Sequence, residues 1–231
     1  MKKKIVVVIG LNTLAFNDRR FNEDWLRYRI GIFMKYTRKS LENQTYQDFL
    51  TVVVYEPESE QIINNILKEY SNLPKNIIFT KNSSIPINDY IKDGDEVLVV
   101  RLDSDDMYHP TYFERLINYN HKEGTQAIIS QDGYAYDTSS NRLTTYHHQS
   151  PPFYALVYSV KDFMSGVRYR VEGGHVGIIN LKYEIIKGDN FCVILHGKNN
   201  GTNFYIASKF GKEIVNQKHM KSVLQQFNID K

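Results

Sequence analysis

The sequence predicts an α/β fold, with a mostly parallel central sheet flanked by helices and a smaller β-rich part. Short apolar runs typical of buried parallel strands alternate with segments of helical periodicity over the first 130 residues. One of these runs, Val97-Leu98-Val99-Val100, leads into three carboxylates within four residues, Asp103-Ser104-Asp105-Asp106. An α/β sheet places its ligands at such a strand end.

The first half of the chain contains five predicted strands separated by helices. Apolar, β-branched runs predict the strands, and apolar residues three or four positions apart predict the helices. The predicted strands are 5–9, 49–55, 76–79, 96–102 and 127–130, and the predicted helices are 23–41, 59–70 and one that begins at Pro110. Residues 81–94 are predicted to be a polar loop with one helical turn.

Beyond Gln131 the alternation ends, and short β-prone pieces rich in Tyr, His and Thr follow. The segments 134–137 and 142–147 are predicted to pair as a hairpin. Phe191–Leu195 is a further apolar strand, and a final helix is predicted over residues 205–226. Because no linker or repeat separates the halves, we expect a single domain over residues 1–231 with only a subdivision near residue 130.

Composition narrows the class of protein. A chain of 231 residues with 42% hydrophobic content can bury one substantial core, and its net charge of +3 does not favour nucleic acid as a partner. The single cysteine, Cys192, excludes an intrachain disulfide framework. No apolar stretch approaches the roughly 18 residues that cross a membrane, and the first apolar segment is too short for a signal peptide. We therefore expect a soluble, cytoplasmic protein.

The acidic cluster at 103–106 has two explanations on spacing alone. Three like charges so close repel one another, which favours neutralisation by a hard cation such as Mg²⁺ or Mn²⁺. A metal there would grip a phosphate. The alternative is a solvated acidic turn that leads into the helix beginning at Pro110.

Two motifs resemble those of a known enzyme family. The segment Ser40-Leu41-Glu42-Asn43-Gln44-Thr45-Tyr46-Gln47-Asp48-Phe49, followed by Val52-Val53-Val54, resembles a signature of the inverting family 2 glycosyltransferases. The segment from Leu102 to Pro110 resembles their metal motif. Arg101, Arg20-Phe21 and His196-Gly197-Lys198-Asn199 resemble, more narrowly, a bacterial family of rhamnosyltransferases that shares the glycosyltransferase A fold.

This resemblance implies a metal-dependent, inverting transferase of hexosyl or rhamnosyl type that acts in surface polysaccharide synthesis. Its donor would be a nucleotide-diphosphate sugar, bound by residues 1–130. Its acceptor would be a glycan or a lipid-linked glycan, bound by residues 131–231, which include the C-terminal helix. Peripheral association with a membrane is compatible with such an acceptor.

The resemblance also assigns candidate residues to the donor site. Asp105 and Asp106 are the candidate ligands of Mn²⁺ or Mg²⁺, and His196 is a candidate third ligand at the end of a late strand. Asp103 is placed to accept hydrogen bonds from donor hydroxyls. Arg101 either reaches the diphosphate or pairs with a neighbouring carboxylate.

Three further donor-site candidates are Glu56, Leu11 and Lys198. Glu56 follows the second strand, where the family has acidic residues, but Tyr55-Glu56-Pro57 replaces the usual two aspartates. Tyr55 either stacks on the base or caps the core. The usual Pro-x-Tyr-Asn after the first strand is replaced by Gly10-Leu11-Asn12-Thr13. Lys198 is a candidate to neutralise phosphate.

An inverting transferase needs a base that deprotonates the acceptor hydroxyl. Glu172, in a glycine-containing segment beside His175, is the first candidate, and Asp132, after the fifth strand, is the second. For each carboxylate taken singly, a solvated loop position is the favoured alternative. The segment Tyr146-His147-His148 either stacks on acceptor sugar or belongs to an ordinary surface hairpin.

Two other classes of function remain open at this point. A sugar nucleotidylyltransferase is also an α/β enzyme that uses carboxylates and Mg²⁺, but it needs a glycine-rich, basic loop near its first strand. Residues 10–20 lack such a loop. A non-catalytic module that binds nucleotide or glycan would keep the pocket and have no working base.

Overall fold

The computed structural model describes residues 1–13, 18–70, 73–199 and 201–229. Residues 14–17, in the predicted donor-side segment 10–20, and residue 200, in the loop after His196, lie outside the described residues. The strands are β1 (Lys3–Gly10), β2 (Phe49–Val54), β3 (Ile77–Thr80), β4 (Glu96–Arg101), β5 (Met107–Tyr108), β6 (Ala127–Ile129), β7 (Asp132–Asp137), β8 (Arg142–His147), β9 (Tyr154–Ser159), β10 (Tyr183–Ile185) and β11 (Phe191–Leu195).

The α-helices are mostly short. They are α1 (Glu23–Ile32), α2 (Arg38–Glu42), α3 (Glu60–Leu67), α4 (Ser84–Ile91), α5 (Tyr112–Ile117), α6 (Val160–Met164), α7 (Phe204–Ser208) and α8 (Gln217–Gln226). Within the part of the chain that the structure describes, none of the helices combines the length and the apolar character needed to cross a membrane.

The strands form a seven-stranded sheet of order β10-β6-β9-β4-β1-β2-β3 and a four-stranded sheet of order β5-β11-β7-β8. Only β9 runs antiparallel to its neighbours in the larger sheet; the other pairs are parallel. The predicted α/β fold, with a mostly parallel central sheet and a smaller β-rich part, is therefore confirmed. Strands β9 and β10 come from beyond residue 130, so the central sheet draws on both halves of the chain.

Strand register brings the candidate donor residues to one edge. Val8 of β1 pairs with Arg101 of β4, and Gly10 of β1 pairs with Val54 of β2. The three strands thus end at nearly the same level, and the residues that follow them lie side by side at the carboxyl edge of the sheet. The loop 102–106 starts at this edge and ends at β5, so it connects the two sheets.

The predicted helix 23–41 is a continuous helical segment with one wide turn. Asn22 caps its start, because its side-chain oxygen accepts a hydrogen bond from the Trp25 amide at 3.1 Å. Residues Phe33–Thr37 form a π-helical turn between α1 and α2, in which the Arg38 amide donates to the Phe33 carbonyl. The buried face of the segment includes Leu26, Ile30 and Phe33.

Two predictions of secondary structure are wrong. The predicted loop 81–94 contains α4, in which Ile87 and Ile91, four residues apart, are buried against the sheet. Pro86 is tolerated there because it lies in the first helical turn. The predicted final helix is divided into α7 and α8 by residues close to Gly211, where an added Cβ would lie 1.7 Å from the Thr145 carbonyl oxygen. The chain passes too close to β8 there to continue as a helix.

The Ser40-to-Phe49 motif has a structural role. The buried Ser40 hydroxyl accepts from the Tyr108 amide at 2.8 Å and lies 3.0 Å from the Tyr108 carbonyl. The buried Gln44 side chain donates to the His109 carbonyl at 3.0 Å and accepts from the Phe113 amide at 3.1 Å. These bonds fix the end of α2 to the segment that follows the acidic cluster.

We expect Gln44→Ala to lower the free energy of unfolding by about 1–3 kcal/mol, because it removes the side-chain acceptor of the buried Phe113 amide and one of the two donors to the His109 carbonyl. Urea unfolding of the wild type and the variant measures this loss. Gln61→Ala, at an exposed position of α3, is the matched control and should change stability by less than about 0.5 kcal/mol. Equal losses in the two variants would contradict the structural role of Gln44.

Candidate active site

Asp103 is paired with the arginine that precedes it by two residues. One carboxylate oxygen of Asp103 accepts from Arg101 Nη2 at 2.8 Å, and Arg101 Nη1 donates to the Pro152 carbonyl at 2.8 Å. The Asp103 side chain keeps 39% of its surface exposed at the sheet edge. Surrounding protein raises the pKa of Asp103, and the positive charge of Arg101 opposes that shift. Arg101 therefore pairs with a carboxylate, as one of its two predicted roles requires.

Asp105 joins three distant segments of the chain. Its Oδ2 atom lies 3.0 Å from Arg29 Nη1 of α1, 3.0 Å from His196 Nε2 and 3.4 Å from Asn199 Nδ2, both after β11. Burial alone would raise the pKa of Asp105, but the hydrogen bond from His196 and the charge of Arg29 outweigh it, so the pKa lies below its usual value. The carboxylate is held in its charged form.

Asp106 has a different role. Its Oδ1 atom accepts from the Ile194 amide of β11 at 3.0 Å, and the residue is buried. Burial, and then the charges of Asp105 and Asp103, raise the pKa of Asp106 well above its usual value. Asp106 therefore links the acidic loop to β11.

His196 lies where β11 ends, and its side chain is 2% exposed. Its Nδ1 atom is 2.8 Å from the Tyr28 hydroxyl, so both ring nitrogens have partners. The His196 amide donates to the Asn199 side chain at 2.7 Å, which closes the turn. Lys198 is exposed on this turn, with Nζ 4.3 Å from the centre of the Tyr28 ring.

The predicted metal ligands do not fit a metal site in this arrangement. Asp105 and His196 are brought together, but the Arg29 guanidinium lies 3.0 Å from Asp105 Oδ2 and 3.5 Å from His196 Nε2. A divalent cation bridging those two atoms would therefore meet a fixed positive charge. Among the residues that the structure describes, no three His, Cys, Asp or Glu side chains are grouped to hold a metal ion. Mn²⁺ or Mg²⁺ stays a prediction from the sequence.

The ends of β1 and β2 are linked by Asn12. Its side chain accepts from the Glu56 amide at 2.9 Å and donates to the Ser59 hydroxyl at 2.7 Å. The Glu56 side chain, 28% exposed, lies 3.4 Å from Arg20 Nη1. Leu11 and Tyr55 are buried in the core, so Tyr55 caps the core rather than offering its ring to a base. Of these residues, Glu56 and Arg20 have partly exposed side chains that a donor can reach.

Glu172, the first candidate base, lies in an exposed turn that also contains His175. The Glu172 side chain is 68% exposed and 3.3 Å from Arg170 Nε. Three residues later, His175 donates through Nδ1 to the Ser150 carbonyl at 2.7 Å. The charge of His175 contributes to the pKa of Asp103, which it lowers.

Asp132 lies on one face of the hairpin formed by β7 and β8, and Tyr146 lies on the other. Its carboxylate is 2.6 Å from His147 Nδ1, and the two residues are cross-strand neighbours. Adjacent residues of a strand point to opposite faces, so Asp132 and His147 face away from Tyr146. Tyr146 packs against Phe191. Burial, and then the charge of Asp106, raise the pKa of the Tyr146 hydroxyl.

Tyr146, His148 and Phe210 form an aromatic cluster beside this turn. The Phe210 ring lies 5.5 Å from the Tyr146 ring and 5.0 Å from the His148 ring, and His148 is 6.1 Å from His175. Burial, followed by the charge of His175, lowers the pKa of His148. The aromatic cluster is partly exposed, because Phe210 keeps 38% of its surface.

Arg29 and Phe210 were not singled out by the sequence. Arg29 lies in a basic segment that is otherwise typical of a solvated helix face, but it borders the apolar arc formed by Leu26, Ile30 and Phe33. An arginine at that position is a signal for a buried anionic partner. Phe210 has no such signal, because its position depends on the break between α7 and α8.

The comparison with protein families identifies the class of this chain as a transferase of glycosyl groups. The model of the family described as "Putative rhamnosyl transferase" matches residues 15–203. The chain belongs to this family. The resemblance found in Arg101, Arg20-Phe21 and residues 196–199 is thereby confirmed.

Solved structures give weaker similarities. The structure of S. aureus TarS 1-349 in complex with UDP-GlcNAc is 12% identical in sequence, with a TM-score of 0.49. The alignment covers 97% of this chain and 71% of the TarS chain. The complex of TarS 1-349 with UDP is 11% identical, with coverages of 97% and 70% and a TM-score of 0.44. The 4-diphosphocytidyl-2C-methyl-D-erythritolsynthase from Anaerococcus prevotii is 11% identical, with coverages of 98% and 96% and a TM-score of 0.35. TM-scores below 0.5 do not show that two proteins share a fold, so nothing about this chain is concluded from these similarities. No curated protein matches the chain.

The raised pKa of Asp106 predicts a pH dependence of stability. The folded protein binds this proton more tightly than the unfolded chain, so the wild type loses stability as pH rises from about 4 through the folded pKa. Asn cannot ionise and can still accept from the Ile194 amide. We therefore expect the stability of Asp106→Asn relative to the wild type to increase between about pH 4 and about pH 7.

Urea unfolding in the presence of a chelator, at several pH values in this range, measures the difference. Asp162→Asn, at an exposed position of α6, is the control for replacing an aspartate. A difference between Asp106→Asn and the wild type that does not change with pH would contradict a buried, proton-binding Asp106.

Proposed function

We propose that the protein transfers a sugar from a nucleotide-diphosphate donor to a hydroxyl group of a glycan acceptor. The observation that supports this most directly is the grouping of Arg29, Arg101 and Asp103 where β4 ends, beside the ends of β1 and β2. A diphosphate is recognised by guanidinium groups. Sugar and ribose hydroxyls donate to carboxylates such as Asp103.

The reaction breaks the bond between the anomeric carbon and the diphosphate oxygen, which leaves with the electron pair. The acceptor oxygen forms the new bond to the anomeric carbon, and its proton passes to a base. Negative charge accumulates on the leaving diphosphate, so fixed positive groups stabilise the transition state more than the ground state. Arg29 and Arg101 are such groups, since each is already held by a carboxylate.

The acceptor is placed against the aromatic cluster of Tyr146, His148 and Phe210. Aromatic rings pack against the apolar faces of sugars, and this partly exposed cluster contacts His175, whose charge acts on the pKa of Asp103. Glu172 is the favoured base, because it lies three residues before His175, whose ring contacts His148 of the aromatic cluster and whose charge acts on the pKa of Asp103. The face occupied by Asp132 makes it the weaker candidate.

Several finer features remain predictions. They are inversion at the anomeric carbon, rhamnosyl rather than other hexosyl transfer, a lipid-linked acceptor with peripheral membrane association and a role in surface polysaccharide synthesis. The base of the donor nucleotide is also open, because Glu56 replaces the paired aspartates of the family motif.

Calorimetric titration with UDP-, GDP- and dTDP-sugars tests the proposal. We expect one nucleotide class to bind at least about tenfold more tightly than the others. We expect Asp103→Asn to weaken that binding by about tenfold, because the amide offers one neutral acceptor oxygen where the carboxylate offers two charged ones. Asp162→Asn should bind like the wild type. A chain that binds none of these sugars would contradict the proposed function.

We expect Glu172→Gln to lower kcat by roughly 10²–10⁴-fold, because the amide cannot take the acceptor proton. Donor affinity should not change, since Glu172 lies on the acceptor side. Steady-state kinetics with calorimetry separate the two effects. Asp132→Asn is the discriminating variant: if it loses more activity than Glu172→Gln, the base lies on the other face of the hairpin.

A further inference from the structure

Each carboxylate of the acidic loop has its own partner. Asp103 is paired with Arg101, Asp105 with Arg29, and Asp106 with the Ile194 amide. The crowding of three like charges was the physical reason to expect a divalent cation at this loop. Protein groups provide that compensation in the structure.

Arg29 is held firmly from two sides. Its Nη1 atom lies 3.0 Å from Asp105 Oδ2, and its Nη2 atom lies 2.6 Å from the Ser104 hydroxyl. The side chain is 15% exposed, and the guanidinium lies 5.9 Å from the Trp25 ring. A guanidinium so held is preorganised, so little conformational freedom remains to be lost when an anion binds.

The donors of Arg29 are not exhausted by these contacts. A guanidinium has five N–H groups, and Nε–H is buried with no hydrogen-bond partner among the described residues. A buried donor without a partner is costly and calls for an explanation at each site where it occurs. Nη2 has a second N–H beyond the one that contacts Ser104, and a guanidinium with an unused terminal donor beside a candidate diphosphate site can bind a phosphate oxygen.

We propose that the Arg29 guanidinium, and not a divalent cation, supplies the positive charge that stabilises the leaving diphosphate. This inference rests on the proposed glycosyl transfer. As the bond from the anomeric carbon to the diphosphate breaks, the charge that develops on the phosphate oxygens is met by the guanidinium that Ser104 and Asp105 already hold. Asp105 and His196 then act as positioning residues for Arg29, and the reaction proceeds with metal chelated.

The test compares donor turnover of the intact chain in EDTA and in Mn²⁺, using the nucleotide sugar selected by calorimetry. We expect wild-type kcat in EDTA to stay within about threefold of its value in Mn²⁺, and donor affinity in EDTA to be retained. Arg29→Gln should lower kcat by roughly 10²–10³-fold in both conditions. Arg29→Lys, which keeps the charge and loses the fork, should recover part of that loss and remain active in EDTA.

Arg27→Gln is the matched control, because Arg27 lies on the same helix and pairs with exposed Glu23 and Glu69 away from the acidic loop. It should keep wild-type kcat in both conditions. Urea unfolding checks that Arg29→Gln is folded, and the EDTA comparison on the wild type and Arg29→Lys does not depend on that variant.

Turnover in Mn²⁺ that disappears in EDTA and returns when Mn²⁺ is restored would overturn this inference and leave the proposed function intact. Wild-type kinetics for Arg29→Gln would also overturn it. If the wild type neither binds nor turns over any nucleotide sugar in either condition, the proposed function fails and the inference fails with it.

Discussion

The ion pair between Arg29 and Asp105 is the contact on which the organisation of this site depends. It connects helix α1 to the loop between the two sheets, and Asp105 extends the connection through His196 and Asn199 to the end of β11. Both ions are largely buried, so removing either one would leave a desolvated charge. Breaking this pair would disturb three segments of the chain at once. The pair therefore couples the position of the helix to the charge of the acidic loop.

The parallel framework could be predicted from sequence because β1, β2 and β4 are continuous apolar runs that only a buried position satisfies. The acidic loop could be predicted because it follows such a run. Helix α4 could not be predicted from the sequence, since Pro86 and the polar residues around it are typical of a loop and outweigh the helical spacing of Ile87 and Ile91. The division of the last helix depends on the approach of Gly211 to β8, a tertiary contact that no local pattern records.

The residues of the candidate site, too, could be predicted only in part from the sequence. Asp103 and His196 could be found because each lies within two residues of the end of a strand, where an α/β fold collects its functional residues. The different roles of the three carboxylates could not be predicted from the sequence, because they depend on the partner of each one. These partners are an arginine two residues away, an arginine from α1 and an amide of β11. The aromatic cluster combines a hairpin with a distant loop, so neither part identifies it alone.

The π-helical turn between α1 and α2 sets the phase between two functions of one helical segment. Each residue of an α-helix advances the side-chain direction by about 100°, so the additional residue in the wide turn rotates everything after it by about that angle. With this rotation, Arg29 before the turn contacts the start of the acidic loop, while Ser40 and Gln44 after it contact the segment beyond the loop. A shortening of the turn by one residue would keep the helix and its length nearly unchanged, yet it would prevent the two contacts from forming together.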